Sequence, residues 1–99
     1  MNDDVDWLVT EIDQLLRVGR VGVYEFAESL RERHPDAPAA SLRPTCQAAL
    51  DKFLSDPTVQ LGWYVWASGE QPTPASIADI RPETFDAIGS DPYLGIERV

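Results

Sequence analysis

The chain has 99 residues, of which 8 are basic and 17 acidic, and its formal net charge is −9. The 43% hydrophobic and 25% charged residues exclude a wholly disordered chain and favour one globular domain over residues 1–99. No apolar run approaches the roughly 20 residues that a membrane span needs, the start MNDD is too acidic for a signal peptide, and the single Cys46 cannot form an internal disulfide. We therefore expect a cytoplasmic protein without a membrane segment.

The charge is concentrated at the two ends of the sequence. Residues 1–16 carry five acids and no base, and residues 55–99 carry seven acids against two arginines. Residues 17–54 hold six basic and five acidic side chains. Because acidic flanks repel phosphates and attract cationic surfaces, the charge favours a basic protein partner over a nucleic acid.

Apolar periodicity predicts three helices, over Asp3–Val18, Val23–Arg33 and Ser41–Leu54. The turn between the first two, residues 19–22, has room for one or two extended residues. Ser41 is expected to cap the third helix, with Pro44 in its first turn. The predicted core combines apolar positions from the helices and one strand: Leu8, Ile12, Leu15, Phe26, Leu30, Leu50, Phe53, Leu61 and Trp63.

The stretch VQLGWYVW (Val59–Trp66) predicts a strand with large side chains on both faces. Alternation places Trp63 on the face toward the core and Tyr64 and Trp66 on the opposite face. That opposite face is covered either by the C-terminal segment or by another molecule. The tail Tyr93–Val99 is expected to pair antiparallel with this strand, and a short helix is expected at Pro82–Ile88.

This order of elements resembles the winged-helix arrangement, in which three helices pack together and a small antiparallel sheet closes one side. The resemblance implies an α+β fold. It also implies a DNA-binding alternative, in which the helix over 41–54 enters the major groove. The residues that this alternative would use are Arg43, Thr45 and Gln47 on that helix, with Arg31 and Arg33 nearby. Against it stand the acidic charge and a wing candidate, SGEQPTP, that has no lysine or arginine.

No arrangement of residues indicates catalysis. The only histidine, His34, follows the second helix, and Cys46 lies on the apolar stripe of the third. No glycine-rich loop matches a phosphate-binding motif, and no His/Cys spacing suits zinc. We therefore expect no enzyme activity, no cofactor and no metal.

In size, charge and architecture the chain is similar to the immunity proteins and antitoxins of bacterial toxin systems, which block a basic toxin with carboxylates and aromatic anchors. The similarity implies a non-catalytic inhibitor of a basic protein. Exposed aromatic side chains beside acids are typical of protein-binding hot spots. The residues expected at the partner surface are Trp66, Tyr64, Glu70, Asp79 and Trp7.

Overall fold

The computed structural model describes residues 3–65, 73–86 and 92–99. Three helices, α1 (Asp3–Val18), α2 (Tyr24–Arg33) and α3 (Ala39–Leu54), combine with four strands, β1 (Val21–Gly22), β2 (Val59–Tyr64), β3 (Thr73–Pro74) and β4 (Tyr93–Arg98). Two short 3₁₀ helices cover Ile77–Asp79 and Pro82–Asp86. The protein therefore has the predicted α+β fold of three helices and a small antiparallel sheet. The arrangement is consistent with the winged-helix resemblance.

The sheet has the strand order β1-β4-β2-β3, and every neighbouring pair is antiparallel. The predicted pairing of the tail is confirmed, because β4 runs beside all of β2, from Val59 opposite Arg98 to Tyr64 opposite Tyr93. Within the described residues, each outer strand is two residues long. Such short outer strands expose few unpaired backbone groups to edge-to-edge association.

The buried stripe of α1 differs from the predicted one at a single position. Val5, Leu8, Ile12 and Leu16 are buried, whereas Leu15 is 40% exposed. Each α-helical residue turns the chain by about 100°, so the four buried positions share an arc of roughly 80° and Leu15 falls about 20° outside that arc, next to Leu8. The prediction that Leu15 belongs to the core is therefore wrong.

The core lies between the three helices and the inner face of the sheet. Phe26 of α2 meets Phe53 of α3 edge to face, with ring centroids 6.0 Å apart. Leu61 and Ile96 contribute from the paired strands, and Trp63 packs against the same core as a half-buried side chain. Apart from Leu15, the predicted core residues are confirmed as buried or packed against the buried cluster.

The third helix begins two residues earlier than predicted. Pro38 is its N-cap residue, and the hydroxyl of Ser41 donates to the carbonyl of Pro38 instead of capping the helix. Pro44 consequently lies beyond the first turn, and the helix continues through it to Leu54. The predicted short helix after Arg81 is a 3₁₀ helix over Pro82–Asp86, and its predicted end lies outside the described residues.

Candidate functional site

Tyr64 points away from the helices, as predicted, but it is only 1% exposed. Gly22, Gly95 and Gly62 lie opposite one another on neighbouring strands. No side chain projects from these three positions of the outer face, and we call this row the glycine lane. The Tyr64 ring lies so close to Gly95 that a Cβ atom there would come within 3.1 Å of it. The expectation of an exposed Tyr64 ring is therefore wrong, because the ring packs closely against Gly95, where no side chain stands in its way.

Other side chains of the chain complete the cover over this ring. The Tyr93 centroid lies 5.7 Å from that of Tyr64, and the Arg20 guanidinium carbon lies 4.5 Å from the Tyr64 centroid. Arg20 is held in turn by Glu97, whose Oε2 atom lies 3.7 Å from Nε. Burial, followed by the nearby Glu97 carboxylate, raises the pKa of Tyr64. At this position the chain itself covers the outer face of the sheet.

Of the remaining residues predicted at the rim, the structure describes Asp79. Trp66 and Glu70 lie outside the described residues. Asp79 is half-buried and forms a capping box with Ser76, in which its Oδ2 atom accepts a hydrogen bond of 2.9 Å from the Ser76 backbone N–H. The Ser-x-x-Asp spacing before Ile80 carried this signal in the sequence. Asp79 therefore has a local structural role.

Trp7 contacts Arg33, one of the candidate residues of the DNA-binding alternative. The Arg33 guanidinium carbon lies 4.8 Å from the centroid of the Trp7 ring, a cation–π arrangement. Asp4 Oδ1 lies 3.4 Å from Arg33 Nε and 3.0 Å from His34 Nε2. The acidic start of α1 and the basic end of α2 are thus joined, and Arg33 is engaged by Asp4 and Trp7.

The other candidate DNA-binding residues present little free cationic surface. Arg31 borders a shallow depression together with Glu28 and Glu32. Arg43 is half-buried, and its Nε atom is enclosed. Thr45 is also half-buried, and the side-chain amide of Gln47 donates to Asp51 Oδ1 at 2.8 Å. The structure therefore places Arg43, Thr45 and Gln47 on α3 as predicted, and within the described residues no cluster of exposed cations surrounds them.

A cleft of about 330 Å³ lies between α1, the end of α3 and β4. Its lining residues are Val9, Thr10, Asp13, Lys52, Phe53, Asp56 and Arg98. Arg98 lies 3.0 Å from Asp13 Oδ1 and 3.8 Å from Asp56 Oδ2, so one guanidinium bridges two carboxylates. The lining combines the apolar side chains of Val9 and Phe53 with charged side chains, a composition able to accept a small amphipathic group.

The pKa values of both cleft carboxyls are lowered. For Asp13 the main cause is the hydrogen bond from Arg98, with Arg17 adding to it. For Asp56 the main cause is hydrogen bonding from the backbone and hydroxyl of Thr58, and Arg98 contributes its charge. The i,i+4 spacing of Asp13 and Arg17 was visible in the sequence. The role of Arg98 depends on strand pairing and was not predicted.

The tyrosine and glutamate at the start of α2 form a second electrostatic feature. Burial raises the pKa of Tyr24 to about 12, and the carboxylates of Glu25 and Glu28 add to the effect. Glu25 Oε2 accepts a hydrogen bond of 2.6 Å from the Gly22 backbone N–H. Burial raises the pKa of Glu25 although this hydrogen bond opposes it. The Glu25–Gly22 hydrogen bond joins the start of α2 to β1.

Within residues 3–65, 73–86 and 92–99, no three His, Cys, Asp or Glu side chains are placed to hold a metal ion. No helix in the described part of the chain is long and apolar enough to cross a membrane. Comparisons with protein-family models, with curated proteins and with solved structures find no match to this chain.

Proposed function

We propose that this protein is a non-catalytic, acidic binding domain that inhibits a basic protein partner in the cytoplasm, in the manner of bacterial immunity proteins and antitoxins. The observation that carries the proposal is the pairing of its cations. Among the residues that the structure describes, ion pairs with carboxylates engage these basic side chains: Arg17, Arg20, Arg33, Lys52 and Arg98. Because these cations are already paired, the excess of acidic side chains gives the surface offered to a partner its negative charge.

This pairing argues against phosphate binding. A DNA reader gains affinity by neutralising phosphates with several free lysines and arginines. Here Lys52 at the end of α3 lies 3.3 Å from Asp6, and Arg33 lies 3.4 Å from Asp4. A phosphate would have to displace these carboxylates. A basic protein would instead meet acids and a half-buried Trp7 ring.

DNA binding remains the second candidate, because α3 carries Arg43, Thr45 and Gln47 in a fold that is consistent with the winged-helix resemblance. In that case affinity for duplex DNA would depend on these side chains. It would also fall steeply as salt rises, because phosphate contacts release counterions.

The deciding experiment compares both ligands. A tagged chain is expressed in its native host, co-purifying proteins are identified by mass spectrometry, and each binary complex is reconstituted and measured by calorimetry. In parallel, random duplexes are selected for binding at about 0.15 M salt. We expect an equimolar complex with a basic protein that Gln47→Ala and Arg43→Ala leave unchanged. A selected duplex whose binding is lost in these variants, with melting temperatures retained, would overturn the proposal.

A further inference from the structure

One face of α1 carries a row of side chains that the buried stripe does not include. We call Asp4, Trp7, Glu11, Leu15 and Val18 the α1 outer strip. Their spacing of three or four residues places them one above another along the helix. At one end of the strip, Asp4 and Trp7 contact Arg33 and His34 of the neighbouring chain segment.

Two apolar members of the strip, Leu15 and Val18, are exposed to solvent. Leu15 is 40% exposed and Val18 is 90% exposed, while Trp7 is half-buried against the core. Single exposed apolar side chains are common on protein surfaces and need no explanation. Leu15 and Val18 differ because they continue the line of a tryptophan on one helical face. Apolar anchors at such spacing are the pattern by which helices pack on one another.

The charge of the strip defines its occupant. Glu11 lies within the strip and Asp3 beside its start, and neither side chain forms an ion pair or hydrogen bond within the described residues. Arg17 is the one basic residue of α1, and its guanidinium is paired with Asp13, 3.1 Å away, outside the strip. A partner helix that covers Leu15 and Val18 would therefore meet uncompensated negative charge toward the start of α1.

We propose that the α1 outer strip docks a basic amphipathic helix of the partner protein. Apolar residues of that helix would cover Leu15 and Val18, and its lysines or arginines would face Glu11 and Asp3. Placing opposite charges at the rim gives orientation and a fast encounter, while apolar anchors supply most of the affinity. This inference rests on the proposed function, because it names the chemistry of the partner.

The probe is a synthetic helical peptide that carries leucine on one face and lysine on the other, with a second peptide in which glutamate replaces every lysine. Both are titrated against the full chain by calorimetry, and the binding surface is mapped by amide chemical-shift changes. We expect the lysine peptide to bind and to shift amides of α1. Leu15→Ser with Val18→Ser should weaken binding roughly tenfold or more, and Glu11→Gln should weaken it by a smaller factor.

Matched control variants are available elsewhere on the surface. Ile77 and Val99 are 71% and 74% exposed, so Ile77→Ser with Val99→Ser removes similar apolar area from residues that are not part of α1. Glu83→Gln removes one exposed carboxylate from the second 3₁₀ helix. We expect both controls to bind the lysine peptide as the unmodified chain does.

Three results would overturn the docking proposal: no binding of the lysine peptide, equal binding of the glutamate peptide, or equal losses in the control and strip variants. Self-association through Leu15 and Val18, detected by sedimentation, would also overturn it by assigning the strip to a second copy. If a native basic partner binds the Leu15→Ser, Val18→Ser variant as tightly as the unmodified chain, the docking site is wrong. The proposed function would still stand. Absence of any basic partner would remove the proposed function, independently of the peptide result.

Discussion

Glu25 is a half-buried carboxyl group that is bound by the backbone. Its Oε2 atom accepts a 2.6 Å hydrogen bond from the Gly22 backbone N–H and so joins the start of α2 to β1. Burial raises the pKa of this carboxyl, and the charge of Glu28 adds to the rise. A raised pKa means that protonated Glu25 favours the folded state. This contribution is complete below the ordinary value of 4.5 and is lost as the pH rises through the folded pKa.

The first stability prediction separates the hydrogen bond of Glu25 from its charge. Glu25→Ala leaves the Gly22 N–H without its acceptor and should lower the free energy of unfolding at pH 7 by about 1–3 kcal/mol. Glu25→Gln keeps an acceptor oxygen without burying a charge, so we expect stability at pH 7 at least equal to that of the unmodified chain. Urea unfolding of the three proteins tests this. Equal losses in both variants would show that the charge itself is stabilising.

At the scale of elements, the outer face of the sheet depends on its glycine lane. A Cβ atom at position 95 would approach the Val21 carbonyl oxygen to 2.9 Å and the Tyr64 ring to 3.1 Å. The backbone oxygen cannot move without disturbing the β1–β4 pairing. The packing of Tyr64 on the outer face of β2 therefore depends on the missing side chains at Gly95 and Gly22 as much as on the aromatic rings.

Gly95→Ala should accordingly destabilise the fold by about 1–3 kcal/mol, the usual cost of adding volume to a packed site. Gly19→Ala is the matched control, because a Cβ atom at position 19 meets nothing within 4 Å. That variant should change the free energy of unfolding by no more than about 0.5 kcal/mol. Thermal unfolding monitored by near-UV circular dichroism reports both stability and tyrosine packing. Unchanged stability in Gly95→Ala would contradict the close packing of Tyr64 on β4.

The sequence predicted the elements well because each helix repeats its apolar residues at helical spacing. Alternation along β2 also placed Trp63 and Tyr64 on the correct faces. It could not predict that Tyr64 is covered, because the cover comes from Arg20 and Tyr93, which only strand pairing brings to the ring. Leu15 was misplaced for a related reason. Residues at the edge of an apolar stripe are buried or exposed according to what packs beside them, and spacing alone does not contain that information.

A network of ion pairs around Arg98 joins parts of the chain that are far apart in sequence. Arg98 lies at the end of β4, Asp13 on α1, and Asp56 in the turn between α3 and β2. A backbone hydrogen bond of 2.7 Å from Val99 N–H to the Thr58 carbonyl closes the same region. In a chain of net charge −9, one guanidinium here relieves the repulsion between two carboxylates.

This network predicts a specific dependence of stability on pH. The pKa values of Asp13 and Asp56 are lowered from 3.8, so their ionised forms favour the folded state. That contribution is complete above 3.8 and is lost as the pH falls through the folded values. Arg98→Met keeps much of the side-chain volume and removes the charge. It should destabilise the protein at pH 6, and the difference from the unmodified chain should shrink as the pH falls below about 3.8.

Arg81→Met is the control for a general effect of lost positive charge, because Arg81 is exposed and its side chain takes part in no ion pair within the described residues. Urea unfolding of the three proteins between pH 6 and about pH 2.5, repeated at high salt, measures the dependence. Salt should reduce the cost of Arg98→Met, because exposed pairs are screened. If Arg81→Met and Arg98→Met follow the same pH curve, net charge alone governs acid stability. The bridge from Arg98 to Asp13 and Asp56 would then contribute nothing of its own.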